Sequence, residues 1–249
     1  MQTNIRLTLQ YDGTDFNGWQ LQLGRPETRT VQGVVEKAIE EIVGGSVRLM
    51  GSGRTDAGVH AKGQVANFHT NNPIPVDRWV FALNCLLPPD VVVTNAEEVP
   101  TDFHAQYSAV GKTYYYYIWN NICQNTFLRN YSHHVRRKLR LSAMEEAASY
   151  LKGTHNFRSY CSSGSSVKNF VRTIKAIDFE TREQILIFQI TADGFLYKMV
   201  RTIVGTLLEI GMGKYPPEWI KEVLSARSRE AAGPTAPAHG LFLQEVFYG

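Results

Sequence analysis

Of the 249 residues only three are cysteine, Cys85, Cys123 and Cys161, and no two of them make a Cys-x-x-Cys pair. An odd, scattered set argues against a disulfide framework and for a reducing compartment, with the thiols used as packing residues. No run approaches the roughly 18 apolar residues of a membrane span. The opening Met1-Gln2-Thr3-Asn4-Ile5-Arg6-Leu7 lacks the long apolar core of a secretory signal. The chain is therefore expected to be cytoplasmic, away from any membrane. The seven histidines form no His-Glu-x-x-His or similar ligand spacing, so no metal site is expected. Gly51-x-Gly53 is followed by neither Gly-Lys-Ser/Thr nor a Rossmann fingerprint, so the case for a phosphate loop is weak. Excess charge is small as well. A net charge of +3 and a pI near 8.7 exclude a nonspecific nucleic-acid coat and fit a partner gripped by a local basic surface. Asn130-Tyr131-Ser132 matches a glycosylation sequon that a cytoplasmic chain would not use.

The chain does have a 43% hydrophobic composition, enough for a sizeable core in one or two domains. It also has one unusual loop, Gly51-Ser52-Gly53-Arg54-Thr55-Asp56-Ala57-Gly58-Val59-His60-Ala61-Lys62-Gly63-Gln64. Asp56 is its one acid, held among glycines and small residues that permit positive φ and close approach of a ligand. Arg54, two positions earlier, favours the ionised carboxylate, which is the nucleophilic form. The plain alternative is a tight turn whose Asp bonds its own backbone. The length of the run favours a site.

Periodicity places the elements around it. Ile5, Leu7, Leu9 and Tyr11 alternate as a strand that Asp12-Gly13 ends. Thr30 caps a helix carrying Val31, Val34, Val35, Ala38, Ile39 and Ile42, which Gly44-Gly45 stops. Strands are expected at Val47–Leu49 and Val65–Phe68 on either side of the Asp56 loop. A helix should cover Val76–Leu87, followed by a short buried strand at Val91-Val92-Val93. Lys112–Asn120, rich in tyrosine, is a strand by composition. A second round then begins. Ser142-x-x-Glu145 reads as a capping box, with Met144, Ala147, Ala148 and Leu151 on one helical face. Thr173–Phe179 and Gln184–Ile190 read as paired strands, Phe195–Ile210 as an apolar helix, and Pro216-Pro217 as the opening of another. Leu241, Leu243, Val246 and Phe247 give a last strand. Helices that follow strands without strict alternation indicate an α+β fold, with helices on one face of mainly antiparallel sheets.

The Asp56 run closely resembles the signature of the tRNA pseudouridine synthase A family, whose Gly-Arg-Thr-Asp-Ala-Gly-Val-His motif carries an essential catalytic Asp. The resemblance extends along nearly the whole chain. It runs through Tyr11-Asp12-Gly13, Gly18-Trp19-Gln20, Thr30-Val31-Gln32-Gly33, Phe103-His104-Ala105, Ser108-Ala109 and Lys112-Thr113-Tyr114-Tyr115-Tyr116. It continues through His155-Asn156-Phe157, Arg172-Thr173-Ile174 and Met199-Val200-Arg201-Thr202-Ile203-Val204-Gly205. Two departures stand out: Gln106 where many members carry Arg, and Lys198 where several carry His.

The resemblance implies two similar α/β halves joined around a central RNA-binding cleft, here residues 1–120 and 121–249, with a basic linker near 121–141. It implies isomerisation of uridine to pseudouridine at positions 38 to 40 of the tRNA anticodon stem-loop, by a homodimer and without a cofactor. Asp56 would be the nucleophile, and Arg54, Tyr114 and Arg201 would meet the substrate, with Arg201 aimed at the catalytic Asp.

The residues themselves leave alternatives open. Arg54 can position Asp56, fill the gap left by a flipped base, or make a structural salt bridge. Tyr114 to Tyr117 alternate across a strand, so two face each side; tyrosine can stack on a base or simply fill a core. Arg201 interrupts an apolar helix and must be paired or snorkel to solvent. Arg136, Arg137, Lys138 and Arg140, the densest basic cluster, are either a solvated face or RNA backbone contacts. Arg25 and Arg29 are weaker candidates of that kind. His60 and His104 read as structural. A catalytically silent RNA-binding protein on the same scaffold is the first rival reading, and a carboxylate-dependent N-glycosidase is the second.

Overall fold

The structure is a computed structural model that describes residues 2–22, 24, 27–164 and 167–249. The chain forms two compact units, one of residues 1–110 with 242–249, the other of residues 111–241. Arg25 lies outside the described residues.

The first unit is built on β1 (Thr3–Tyr11), which pairs antiparallel with both β3 (His60–Thr70) and β4 (Val91–Val99). A two-residue strand, β2 (Met50–Gly51), adds to β3. Ile5, Leu7, Leu9 and Tyr11 are buried, as their alternation predicts. The helix α1 (Val31–Val43) begins where expected. The Thr30 hydroxyl accepts from the Gly33 N–H, and Gly44 closes the helix at φ 72. Val31, Val35 and Ile39 form its buried stripe. The α2 helix (Trp79–Asn84) is shorter than its apolar pattern suggested, because Val76–Arg78 wind as a 3-10 turn. It buries Trp79 edge-on against Phe68.

The second unit has an antiparallel sheet of β5 (Ala109–Asn120), β9 (Ile185–Ala192), β8 (Val171–Arg182) and β7 (Gly153–Asn156), in that order; β6 (His133–Val135) runs parallel to β5. Its helices are α3 (Leu141–Ser149), α4 (Met199–Gly211) and α5 (Trp219–Ala226). Both units thus have the expected mixed architecture of mainly antiparallel strands with helices.

Several local expectations change. The Ser142 capping box does not form. Arg140 takes the cap position of α3 without a side-chain bond, so Ser142 is already inside the helix. The α4 helix starts at Met199 rather than Phe195, because Lys198 sits at φ 57 and breaks the helical backbone that the apolar residues before it would have continued. Residues 47–49 are not a strand; only Met50–Gly51 pair. Cys85 and Cys123 are exposed, and Cys161 alone packs inside.

Unit boundaries also differ from the expected 120/121. The tyrosine strand pairs with β9, so its contacts place it in the second unit from Gly111 onward. Residues 121–141 lie inside that unit, with β6 pairing to β5. The last strand, β10 (Leu241–Tyr248), returns to the first unit, where Phe242 and Leu243 run parallel to His60 and Ala61 of β3. Pattern reading sees which residues make a strand, not which strand they join.

In the second unit the segment 233–236 lies on α4. The Gly233 N–H donates to the Thr206 hydroxyl at 3.0 Å, and Arg229 donates to Gly233 O and Thr235 Oγ1, both at 2.9 Å. Pro234 O approaches the helix so closely that a Cβ on Gly205 would lie 1.7 Å from it. Gly205→Ala therefore trades about 1 kcal/mol of helix propensity against a backbone clash that only movement of the segment can relieve. A net loss of about 1–3 kcal/mol is expected, measured as a lower denaturation midpoint. An unchanged or higher midpoint would mean the segment is not held there.

Candidate active site

Asp56 sits in the loop between β2 and β3, and several backbone and side-chain groups of the loop are braced from within the first unit. The Ser52 N–H donates to Val65 O at 2.7 Å, and its hydroxyl to Gln64 Oε1 at 2.6 Å. The Gln64 amide donates to Gly53 O at 3.0 Å. Thr55 Oγ1 and the Tyr11 hydroxyl are 2.8 Å apart, and Thr55 O accepts from the Trp19 N–H at 3.1 Å. The Val59 N–H donates to Asp56 O, closing the turn through Ala57-Gly58, where Gly58 takes φ 75 and donates to Phe16 O. Burial pushes the Tyr11 phenol well above its ordinary pKa, so it remains a neutral hydrogen-bonding partner. Asp56 is left half-buried, with Arg54 and Ala57 exposed on either side of it.

Two glycines are required by contact. A Cβ on Gly18, already at φ 89, would meet Thr55 O at 2.6 Å. One on Gly51 would meet the Trp19 ring at 2.4 Å. His60 is structural, as expected: it is 1% exposed, stacks on Phe242 at 4.5 Å, and accepts from the Gly13 N–H at 3.0 Å, with Asp12 Oδ1 at 3.1 Å. His104 receives the Gln106 N–H at 3.1 Å, and Gln106 itself is exposed. The Phe103-His104-Ala105 turn is pinned by two buried asparagines. Asn4 donates to Phe103 O, and Asn67 accepts from the Ala105 N–H.

In the second unit, Tyr114 and Tyr116 occupy the buried face of β5, and Tyr115 and Tyr117 the other. Tyr114 is 8% exposed, with the Phe195 ring edge-on at 5.1 Å. Tyr116 is fully buried and donates to Pro237 O at 2.9 Å. Arg201, in the first turn of α4, is half-buried. Its Nε donates to Ala236 O at 2.8 Å, and its own carbonyl accepts from the Ala236 N–H at 3.0 Å. The docked 233–236 segment thus orients the guanidinium. Lys198, the family departure, lies with its ammonium 4.9 Å from the Tyr197 ring.

Arg136, Arg137, Lys138 and Arg140 are all exposed. Their backbone is not loose. The Asn120 amide donates to Val135 O and Arg137 O, both at 2.8 Å, its carbonyl accepts from the Leu139 N–H, and Leu139 is buried. Arg140 differs from the other three, because its guanidinium packs on Gly213, where a Cβ would come within 2.7 Å. Arg29, a weaker RNA candidate, is held by a two-pronged bridge to Asp90 at 2.7 and 2.8 Å and lies 4.0 Å over Phe16. That is a structural role.

Sequence reasoning missed the loop's braces, Tyr11, Ser52, Thr55, Gln64 and Trp19, although each stood inside a recognised motif block. It also missed His133 and His239, whose rings lie 6.4 Å apart near Tyr116. Burial above all, then the charges of His239 and His134, pushes His133 down to about 4. Burial also lowers His239, with Arg201 adding to it against a Ser132 backbone bond. A histidine whose folded pKa lies below its unfolded value stabilises the fold fully above the unfolded value. Stability should therefore fall as pH drops from about 6.5 towards 4. His133→Gln should flatten that fall in denaturation midpoints measured across the window; an equally steep fall would remove His133 as its source.

Comparison with known proteins identifies the family. The family model described as tRNA pseudouridine synthase matches residues 8–108 and 147–249. A protein named tRNA pseudouridine synthase A from Acetivibrio thermocellus is 49% identical over 98% of this chain and 99% of its own length. Its namesake from Halalkalibacterium halodurans is 51% identical over 95% and 89%. The one from Moorella thermoacetica is 49% identical over 98% and 99%. With the Asp56 loop inside the first matched segment and Arg201 inside the second, the chain belongs to the tRNA pseudouridine synthase family and is an isomerase.

Proposed function

We propose that the protein converts uridine to pseudouridine at positions 38 to 40 of the tRNA anticodon stem-loop, with Asp56 as nucleophile, acting as a cytoplasmic homodimer. The observation that carries this reading is the Asp56 loop itself. Its backbone is held by bonds to Trp19, Gln64 and Val65 and its Thr55 side chain by Tyr11, while the carboxylate residue is left half-buried at the tip. A loop braced in this way keeps a carboxylate aimed without further reorganisation, which favours nucleophilic chemistry.

In the reaction the bond from uracil N1 to the sugar breaks, the base turns, and a new bond forms from C5. The C5 proton leaves and N1 gains one, so the product is an isomer of the substrate. The carboxylate attacks either the sugar or the base. Tyr114 gives the turning base an aromatic surface, and Arg54 and Arg201 supply positive charge to the phosphate backbone or to the carboxylate. Arg136, Arg137, Lys138 and Arg140 bind backbone phosphates, which position the tRNA without reading its sequence.

Tritium release from C5-labelled uridine in unmodified tRNA tests the activity, and its absence would favour a silent RNA-binding protein. An abasic product would instead indicate a glycosidase. Asp56→Asn should abolish release and leave tRNA affinity within a few-fold, because phosphate contacts supply most of the binding. Residual turnover above about a hundredth of wild type would remove Asp56 from the nucleophile's role. Replacing Arg136, Arg137, Lys138 and Arg140 together by Ala should lower the log–log salt slope of binding by roughly 0.7 to 0.9 for each phosphate that is no longer neutralised. An unchanged slope would make the cluster a solvated face.

A further inference from the structure

Lys112 precedes Tyr114 by two residues on β5, so its side chain leaves the same face as Tyr114 and Tyr116. Its partner across the ladder is Ala192 of β9, which in turn faces Ile174 of β8. Arg172 stands two residues before Ile174 and shares its face. Lys112, Tyr114 and Arg172 therefore belong to one face of the second unit's sheet. Burial decreases along β5 from Tyr116 through Tyr114 to a half-buried Lys112. Arg172 Nη1 donates to Asn169 O at 3.1 Å and to Val171 O at 2.6 Å, which fixes one arm of the guanidinium fork. Its remaining donors are Nε and Nη2. Gly194 lies beside Nε, where a Cβ would touch it at 3.5 Å, so the absence of a side chain there keeps that donor uncovered on this side.

Burial, and secondly the charge of Arg172, brings the Lys112 ammonium down to about 8. The nearby acid at the end of β9, Asp193, accepts the Thr173 N–H with its carboxylate at 3.0 Å. An anion that meets both cations is favoured by the charge of each.

We propose that Lys112 and Arg172 clasp one phosphodiester of the tRNA backbone beside the Tyr114 ring. The proposal rests on tRNA being the substrate and Tyr114 meeting it. Residues two apart on a strand are about 7 Å apart, the scale of a single nucleotide. One nucleotide can thus place its base at Tyr114 and its phosphate at Lys112. A fork beside a point charge suits the several oxygens of a phosphate.

The test measures binding of unmodified tRNA by wild type, Lys112→Gln, Lys112→Arg and Arg172→Gln, across salt concentrations and from pH 7 to 9. Lys112→Gln and Arg172→Gln should each weaken binding on the order of tenfold and lower the salt slope by roughly 0.7 to 0.9. Wild type should lose affinity as pH rises through about 8, because only the charged ammonium holds the phosphate. Lys112→Arg should bind normally and lose this alkaline fall, since arginine stays charged. Unchanged affinity and slope in a folded Lys112→Gln protein would overturn the proposal. So would an alkaline fall that persists in Lys112→Arg, or a loss of turnover at unaltered affinity, which would put Lys112 in the chemistry. Where Lys112→Gln does not fold, the Lys112→Arg pH profile decides. Tritium release by wild type separates the two levels. If wild type turns over tRNA but the variants bind as it does, this clasp alone fails. If wild type does not turn over, the functional reading fails and the clasp with it.

Discussion

The Asp56 loop is anchored to β3 by one buried side-chain pair, Gln64 with Ser52, and the placing of the carboxylate depends on satisfying it. Gln64 is fully buried, and so is Ser52. Their 2.6 Å contact, together with Gln64 to Gly53 O, ties the start of the loop to β3, into which its other end runs at His60. Each such bond contributes only about 1 kcal/mol net, but a buried amide left unpaired would cost about 1–3 kcal/mol. The strength of the arrangement lies in that asymmetry. A path that broke these bonds would leave a buried amide or hydroxyl unpaired, and that cost holds the loop that carries Asp56. Thr55 and Tyr11 repeat the device one step closer to Asp56.

The second unit fixes Arg201 by a different route. A guanidinium near the start of an apolar helix is costly unless its donors are met. Here one partner is backbone: Ala236 O takes Nε, and the Ala236 N–H returns the bond to Arg201 O. That reciprocal pair exists because the chain at 233–236 runs directly against Gly205 and Thr206, with Arg229 holding it from the far side. The helix glycine, the segment and the arginine form one dependent set. The expectation that Arg201 needs a partner was sound physically. That the partner would include a carbonyl 35 residues away was not visible in the helix pattern.

Much of the fold was legible because burial imposes a period on the chain. The strand at Ile5–Tyr11, the Thr30-capped helix ended by Gly44, and the alternation of Tyr114 to Tyr117 all read correctly from spacing. The failures share a cause. Ser142 matched a capping box, but capping depends on where the helix starts, and Arg140 N–H bonding to Gly211 O starts it earlier. Phe195 and Leu196 continued an apolar period, but the left-handed Lys198 ends helical geometry without changing hydrophobicity. The last strand, β10, was recognised as a strand and credited to the wrong end of the chain, since strand partners are chosen by tertiary contacts. At the site, the motif drew attention to Asp56 itself. The residues that hold it are ordinary polar types, Gln, Ser, Thr and Tyr, whose role appears only when their partners are known.

The distribution of positive charge follows the same logic of division. With a net charge of only +3, the protein cannot rely on a uniform field to hold a polyanion. Its cations are instead committed to different tasks. Arg6 and Arg29 are used inside the first unit, paired to Glu97 and Asp90 and laid against aromatic rings. Arg229 holds the segment on α4, and Arg201 is aimed by it. Arg136, Arg137 and Lys138 stay exposed on a turn whose backbone Asn120 has already ordered. Ordering the backbone in advance lowers the entropic cost of gripping a phosphate chain, because fewer dihedrals are fixed at the moment of binding. The small excess of charge is thus divided between structural pairs inside the units and a solvent-facing cluster carried on ordered backbone.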